Sequence, residues 1–421
     1  MTGIGVDEVH AQGDLFQAGD MDALPRFQGL LVAGSSNTGG TLSHSRCGKR
    51  RLVGCCQDGP MRTLTVRDLN RALLARQLLL ARTDRHALEV VEHLTGLQAQ
   101  DPDPPYVGLW SRITGFTVAD LTGLLYERTV VRATLFRGTQ HLVTAEDYLW
   151  IRPLMQPYLD RWQKAAFGKA TVGLDLIELR EFVRKLLDDG PMTRPELGKA
   201  LVARWPGRDP VSLARSAQGL LAIVHPPPDG TWGRRGVTPF ELAENWLRRP
   251  LEPDPAAAAR LILRYLAAFG PASVKDVQAW SGLTRLREVV EPLRGQLRSF
   301  RTEGGVELLD LPDAPRPDAD EPAPVRLLAA LDNVVLGHAD RTRIVNDELR
   351  PHTIVDATVT IDGFVRGVWK LKNDKGRTVL TARTREPLSA ADQDAVGEEA
   401  ELLLAFAGAE AHDVRFEPLT V

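Results

Sequence analysis

Nothing in these 421 residues has the makings of a membrane span: no run approaches the ~18 apolar, uncharged residues that a transmembrane helix requires. The opening MTGIGVDEVHAQGD carries acids where a signal peptide needs a basic start and an apolar run, so a cytoplasmic protein is expected. Cysteine is scarce. Its three copies, Cys47, Cys55 and Cys56, fall in the first 60 residues, an odd count with no second thiol or histidine pair at zinc-finger spacing. Free thiols are the expectation, with no metal site and no cofactor. Lysine is scarce too, at nine copies with none between 61 and 150. A strong charge of either sign is also missing: 52 basic against 55 acidic residues leave −3, which argues against a polybasic nucleic-acid binder of the histone type.

What is present is an ordinary globular composition, 43% hydrophobic and 25% charged, in a chain long enough for two or three folding units. Residues 1–60 are rich in Gly, Ser, Thr and Asn and hold no sustained period. They read either as a disordered extension or as the product of a start upstream of a true initiator at Met61. From Met61 the texture is helical.

The middle of the chain repeats. Gly190-Pro191-Met192-Thr193-Arg194-Pro195-Glu196-Leu197 is echoed by Gly270-Pro271-Ala272-Ser273-Val274-Lys275-Asp276-Val277. Each copy has a helix before it and another after it. The Ser or Thr can cap the next helix while the acid three residues on reaches back. Each copy ends in a hairpin-like stretch, VHPPPDGTWGRRG and LRSFRTEGGVELLDL. Helix, capped turn, helix, helix, hairpin is the order of a winged helix. Residues 65–143 read as a third copy, with its hairpin turning at Arg137-Gly138 and a long Pro-rich loop inserted from Gln98 to Ile113. After the acidic, Pro-rich linker 313–324 come alternating stretches with a turn at Asp362-Gly363, then an amphipathic helix near 389–408.

The expected fold is α+β: three tandem winged-helix units and a small C-terminal antiparallel β-barrel-like domain. The divisions are a tail 1–60, units at 61–160, 161–250 and 251–312, the linker 313–324, and a β-rich end 325–421. Charge follows them. Residues 61–250 hold 26 basic and 21 acidic residues, while 313–421 hold 13 and 20. The first two units are thus basic and the end of the chain acidic, so the overall −3 is no bar to DNA. The abundance of arginine decides nothing, because a GC-rich genome produces the same bias.

Within the insertion, Gln98-Ala99-Gln100 sets two carboxamides two residues apart. In extended chain both project to one side, and each offers an acceptor and two donors, enough to hold a water or grip a phosphate. On residue type alone, a helix cap or solvent contact is the better explanation of the pair.

From Met61 onward the chain resembles the AlkZ-like winged-helix DNA glycosylase family. The residues that carry the resemblance are the first helix from Leu69 to Leu80, GLQAQ at 96–100, RGTQHLV at 137–143 and LDNVVLGHADRTRI at 331–344. The resemblance implies three winged helices with a C-terminal barrel-like domain and a catalytic Gln-apolar-Gln motif, here Gln98 and Gln100. It implies a glycosylase that releases N-alkylated purines from double-stranded DNA, with bulky adducts and interstrand crosslinks left open as substrates; a monofunctional enzyme acting as a monomer is expected. The absence of lysine from 61–150 agrees, since a Schiff base needs an amine. Candidate DNA contacts are Arg132, Arg137 and His141 in the first wing, and Arg234 and Arg235 beside Trp232 in the second. The resemblance adds His338, Arg341 and Arg343, with an ion pair between Asp340 and a neighbouring arginine as the other reading of that loop. A non-enzymatic DNA-binding regulator and a protein-interaction scaffold are the competing functions.

Overall fold

A computed structural model describes residues 61–420 except 355 and 375; the expectations placed on residues 1–60, the three cysteines among them, lie outside these. Helices alternate with strands that form three sheets among the described residues, an α+β architecture.

Helices Val66–Arg76, Leu176–Asp188 and Ala257–Phe269 each begin one run of the recurring order. The expected capped turns form. Thr193 and Ser273 accept from the backbone three residues on, while Glu196 and Asp276 reach back to the caps; Thr65 and Asp68 do the same at Val66–Arg76. The third run closes with the hairpin Arg298–Thr302 and Glu307–Asp310, as its sequence reads.

Four features differ from expectation. The Pro-rich insertion is not all loop: Pro104 and Pro105 open a helix, Pro104–Trp110, because proline at the first helical positions gives up N–H groups that have no partner there anyway. The boundary drawn at 160 falls inside one continuous helix, Ala145–Thr171, which runs through Pro153 and Pro157. The second hairpin is wider than VHPPPDGTWGRRG. Its arms are Ile223–Val224 and Pro239–Leu242, since three successive prolines cannot donate to a ladder. Finally, the C-terminal sheet is mixed. Arg326–Leu328, Ala357–Ile361, Phe364–Asp374 and Arg377–Thr384 pair antiparallel in that order, but His412–Pro418 returns after helix Ala390–Phe406 and pairs parallel to Arg377–Thr384. No pairing among the described residues joins its two outer strands.

One six-stranded sheet positions the candidate site. Its order is Leu97–Gln98, Gln140–Thr144, Val130–Thr134, Ile223–Val224, Pro239–Leu242 and Met192–Thr193, antiparallel throughout. The hairpins of the first two runs therefore join edge to edge. The join is narrow, an Ala133–Val224 pair and a His225 N–H to Arg132 carbonyl bond of 2.9 Å.

The apolar cores cross the sequence divisions. One cluster unites Leu73, Phe136, Met155, Tyr265, Trp280 and Val334; another packs Val90, Tyr106 and Trp110 against Trp369, Leu380 and Leu403. The linker is held as well. Arg67 Nε donates to Ala319 O at 2.7 Å, Arg71 Nε to Glu321 O at 2.6 Å, and Arg76 Nε to Pro315 O at 3.1 Å. Among the described residues no helix is long and apolar enough to cross a membrane.

Candidate active site

The Gln98-Ala99-Gln100 segment enters the sheet as an edge strand, with Gln98 opposite His141 and the Ala99 N–H bonded to Gln140 O at 2.8 Å. Gly96 permits that entry. Its φ is +95°, and a Cβ there would stand 2.5 Å from Val143 Cγ1, so only glycine fits. Asn333 Nδ2 holds the Gly96 carbonyl at 2.9 Å. Burial then alternates: Leu97 and Ala99 are 3% and 1% exposed, while Gln98 is half-buried and Gln100 exposed. Both carboxamides leave the core on the same side, as a period of two requires.

Two arginines of the neighbouring hairpin grip the segment. Arg132 Nε donates to Ala99 O at 2.8 Å and its Nη2 to Gln100 O at 2.9 Å, while Nη1 pairs with Asp229 from the second hairpin's loop. Burial drives this ion pair toward neutrality from both ends, lowering the Arg132 pKa and raising that of Asp229. Arg137 Nη2 donates to Gln98 Oε1 at 2.8 Å, and its Nη1 donates to the Trp280 carbonyl. Burial, with Arg341 nearby, lowers Arg137 to about 10. The chain turns beneath it because Gly138, at φ +70°, has the Trp162 indole 2.3 Å from where a Cβ would be. Gln100 Oε1 accepts a longer bond, 3.3 Å, from the Gln140 N–H.

His141 is 3% exposed. Its Nδ1 lies 3.0 Å from Thr139 O, which can only accept, so Nδ1 carries the proton and Nε2 is left bare. Burial and then Arg137 push its pKa down to about 3. His225 is also held at about 3 by burial, and His338 is pushed well down for the same reason. In the unfolded chain these imidazoles gain a proton near pH 6.5, but in the folded chain only far below it. The unfolded state therefore binds more protons between those values, and folding stability falls as pH drops from about 6.5 toward 3. Each histidine contributes up to about 1.4 kcal/mol per pH unit. Urea unfolding at pH 7.5, 6 and 5 is expected to show falling stability; a flat profile would contradict the buried, neutral assignment.

Most of the expected DNA contacts turn inward, so the surface role given to them needs correction. Arg132 and His141 are 5% and 3% exposed, and Arg137 is spent on Gln98 and Trp280. In the GHADRTR loop His338 Nε2 lies 3.0 Å from Phe269 O, and Arg343 Nη1 donates to Pro271 O at 2.9 Å. These two are 3% and 4% exposed and clamp the Gly270-Pro271 turn. Asp340 forms no ion pair among the described residues; it caps its own turn by accepting from Thr342 N at 3.0 Å. Trp232 packs edge-on against Tyr106 with ring centres 5.7 Å apart.

Of the remaining candidates Arg234 and Arg235 face outward and Arg341 is half-buried. Arg234 is exposed. Arg235 pairs with Asp103 at 2.7 Å while its side chain stays 61% exposed, bringing the second hairpin's loop against the insertion. Arg341 keeps a buried Nη1 with no hydrogen-bond partner, and burial and Arg350 lower its pKa. Sequence reasoning missed Asp229 and the arginine grip on the glutamines. Their one local signal is an arginine inside the wholly buried strand VVRAT. Among the described residues no three His, Cys, Asp or Glu side chains are grouped to hold a metal ion.

Comparison with known proteins supplies what geometry alone does not. A family model described as "DNA glycosylase AlkZ-like" matches residues 91–406, which include both glutamines and both gripping arginines. The chain is similar to an interstrand DNA cross-link repair glycosylase of Streptomyces sahachiroi, 25% identical over 351 residues that cover 76% of this chain and 92% of that one. In structure it is similar to the Streptomyces sahachiroi DNA glycosylase AlkZ, with a TM-score of 0.69 at 22% identity, over 84% of this chain and 100% of that one.

Proposed function

Since the chain belongs to the AlkZ-like DNA glycosylase family, we propose that it hydrolyses the N-glycosidic bond of N7-alkylated purines in double-stranded DNA and leaves an abasic site, acting as a single chain. The observation that carries this reading is the pair of carboxamides, Gln98 and Gln100, on the open side of an edge strand whose backbone and first side chain are held by Arg132 and Arg137.

The chemistry needs little more. A purine alkylated at N7 is already cationic and leaves readily, so no strong acid is required. The transition state resembles an oxocarbenium ion, as in other glycoside hydrolysis. The protein must hold a water against the sugar carbon and tolerate positive charge beside it. Neutral carboxamides do this without the pKa of a general base. His141, opposite Gln98, is held neutral and adds no positive charge near neutral pH. With no lysine between 61 and 150, the site's own segment has no amine for a Schiff base.

We read the architecture as three successive winged-helix units, the first leading into helix Ala145–Thr171, followed by a linker and a β-rich domain. The recurring order of helix, capped turn, helices and hairpin supports this. Arg234, Arg235 and Arg341 are the arginines left to meet phosphates, while Arg132, Arg137, His141, His338 and Arg343 act as internal supports. The Streptomyces sahachiroi relative is named for interstrand crosslink repair, and taking crosslinks as substrates of this chain is part of the proposal.

The test incubates the protein with a duplex carrying one N7-methylguanine, with and without borohydride. The expected result is an alkali-labile abasic site and no trapped adduct. A trapped adduct would overturn the monofunctional mechanism, and binding without any abasic site would favour a DNA-binding regulator.

A further inference from the structure

Arg137 carries two costs that the fold does not recover through an ion pair. It is drawn into the protein far enough for burial to lower its pKa, and its backbone sits at φ 55°, in the left-handed region that non-glycine residues avoid. Three other inward arginines face carboxylates, Arg76 with Asp310, Arg112 with Asp332 and Arg132 with Asp229, while Arg152 and Arg343 rest on neutral oxygens of the scaffold; Arg137 is set apart by holding a candidate catalytic side chain. Among the described residues Arg137 has no carboxylate partner. Its acceptors are two neutral oxygens, Trp280 O on the third run's helix and Gln98 Oε1 at 2.8 Å. A half-buried cation set on neutral oxygens is a poor way to gain stability, whereas strained and desolvated groups collect where function requires them.

We propose that Arg137 is a positioning residue that acts through Gln98, fixing which end of the Gln98 carboxamide meets the substrate. This rests on the glycosylase reading above. A guanidinium has only donors, so the atom it holds must be the amide oxygen. Gln98 Nε2 is then the end turned away from Arg137, and it has no protein acceptor among the described residues. The planar amide cannot exchange its ends without breaking the 2.8 Å bond. The same guanidinium polarises the amide, making Nε2 a stronger donor and Oε1 a weaker acceptor. Gln98 therefore offers an N–H to the water. Gln100 Oε1, whose bond to Gln140 N is long at 3.3 Å, has the freer lone pair to accept that water's proton in a hydrogen bond. Tethering Arg137 to Trp280 sets the angle from the third run, so the pair is correctly aimed only when the first and third runs are docked.

The test is a double-mutant cycle on single-turnover base release from N7-methylguanine DNA, using wild type, Arg137→Met, Gln98→Ala and the combination. Arg137→Met is expected to slow release by about 10- to 100-fold, the scale on which lost orientation acts, with DNA affinity within about threefold of wild type. In the Gln98→Ala background the same change is expected to cost less than about twofold, because nothing is left for Arg137 to orient. An equal loss in both backgrounds would overturn the proposal. So would unchanged release by Arg137→Met, or weaker binding whose salt slope drops by about one unit, the mark of a phosphate contact. Arg137→Lys runs the same cycle with a cation retained, in case the methionine variant does not fold. A wild type that releases no base would instead remove the glycosylase reading, which separates the two failures.

Discussion

Arg132→Met is expected to destabilise the protein by about 3–5 kcal/mol in urea titration and to lower base release even where the variant remains folded. Two roles meet in this side chain. It neutralises Asp229 inside the protein, at 5% and 11% side-chain exposure, and it donates to the carbonyls of Ala99 and Gln100. The pair itself stabilises little, since burial moves both partners toward their neutral forms. Breaking it costs far more, because the Asp229 charge is left inside without compensation. The roles come apart in the double variant Arg132→Met/Asp229→Leu. Removing both charges is expected to restore most of the stability, while release stays low because the carbonyls of the Gln98-Ala99-Gln100 segment have lost their donors. Recovery of both together would reduce Arg132 to a stability role.

Asp332→Ala is expected to be at least as disruptive, with a loss of about 3–5 kcal/mol and diminished native expression. Arg112 and Asp332 are both fully buried and form two bonds of 2.8 Å that tie the end of the inserted helix to the C-terminal region. Arg112 also donates to Gly108 O at 2.8 Å and to Gln77 Oε1 at 3.3 Å, and its Nε has no partner. Asp332 further caps the short helix Asn333–Leu336 by accepting from Val334 N at 3.1 Å, next to the Asn333 that holds the Gly96 carbonyl. Losing the carboxylate therefore strands a cation, uncaps a helix and loosens the entry to the Gln98 strand. Arg112→Met/Asp332→Leu is expected to be less damaging than either single change; an additive loss in denaturant titration would contradict the coupling.

The repeats were legible because they rest on local chemistry. A Ser or Thr three residues before an acid, beside Gly-Pro, declares a capped helix wherever it stands, and it appeared at Thr193 and Ser273 as expected. The glutamine segment was legible for a similar reason, since Leu97 and Ala99 are apolar and the residues between and after them polar. The prolines of the insertion misled, since Pro104 and Pro105 start a helix instead of keeping a loop, and the boundary at 160 missed a helix that runs through Pro153 and Pro157. The last strand, His412–Pro418, has too little apolar alternation to stand out, and its parallel partner lies beyond an intervening helix. Long-range register was beyond reach. Arg137 and Gln98 are 39 residues apart, and only the pairing of Gln98 with His141 brings them together. Arginine is ordinarily a surface residue, so Arg132, Arg137 and Arg343 were read as reaching outward when they reach inward.

The central claim is that Gln98 and Gln100 perform the hydrolysis. Its most direct test measures free N7-methylguanine by mass spectrometry under single turnover, comparing wild type with Gln98→Ala/Gln100→Ala, with DNA affinity measured in parallel. The account predicts base release by wild type, a loss of at least about 100-fold in the double variant, and affinity retained. Release by the double variant at the wild-type rate would contradict it.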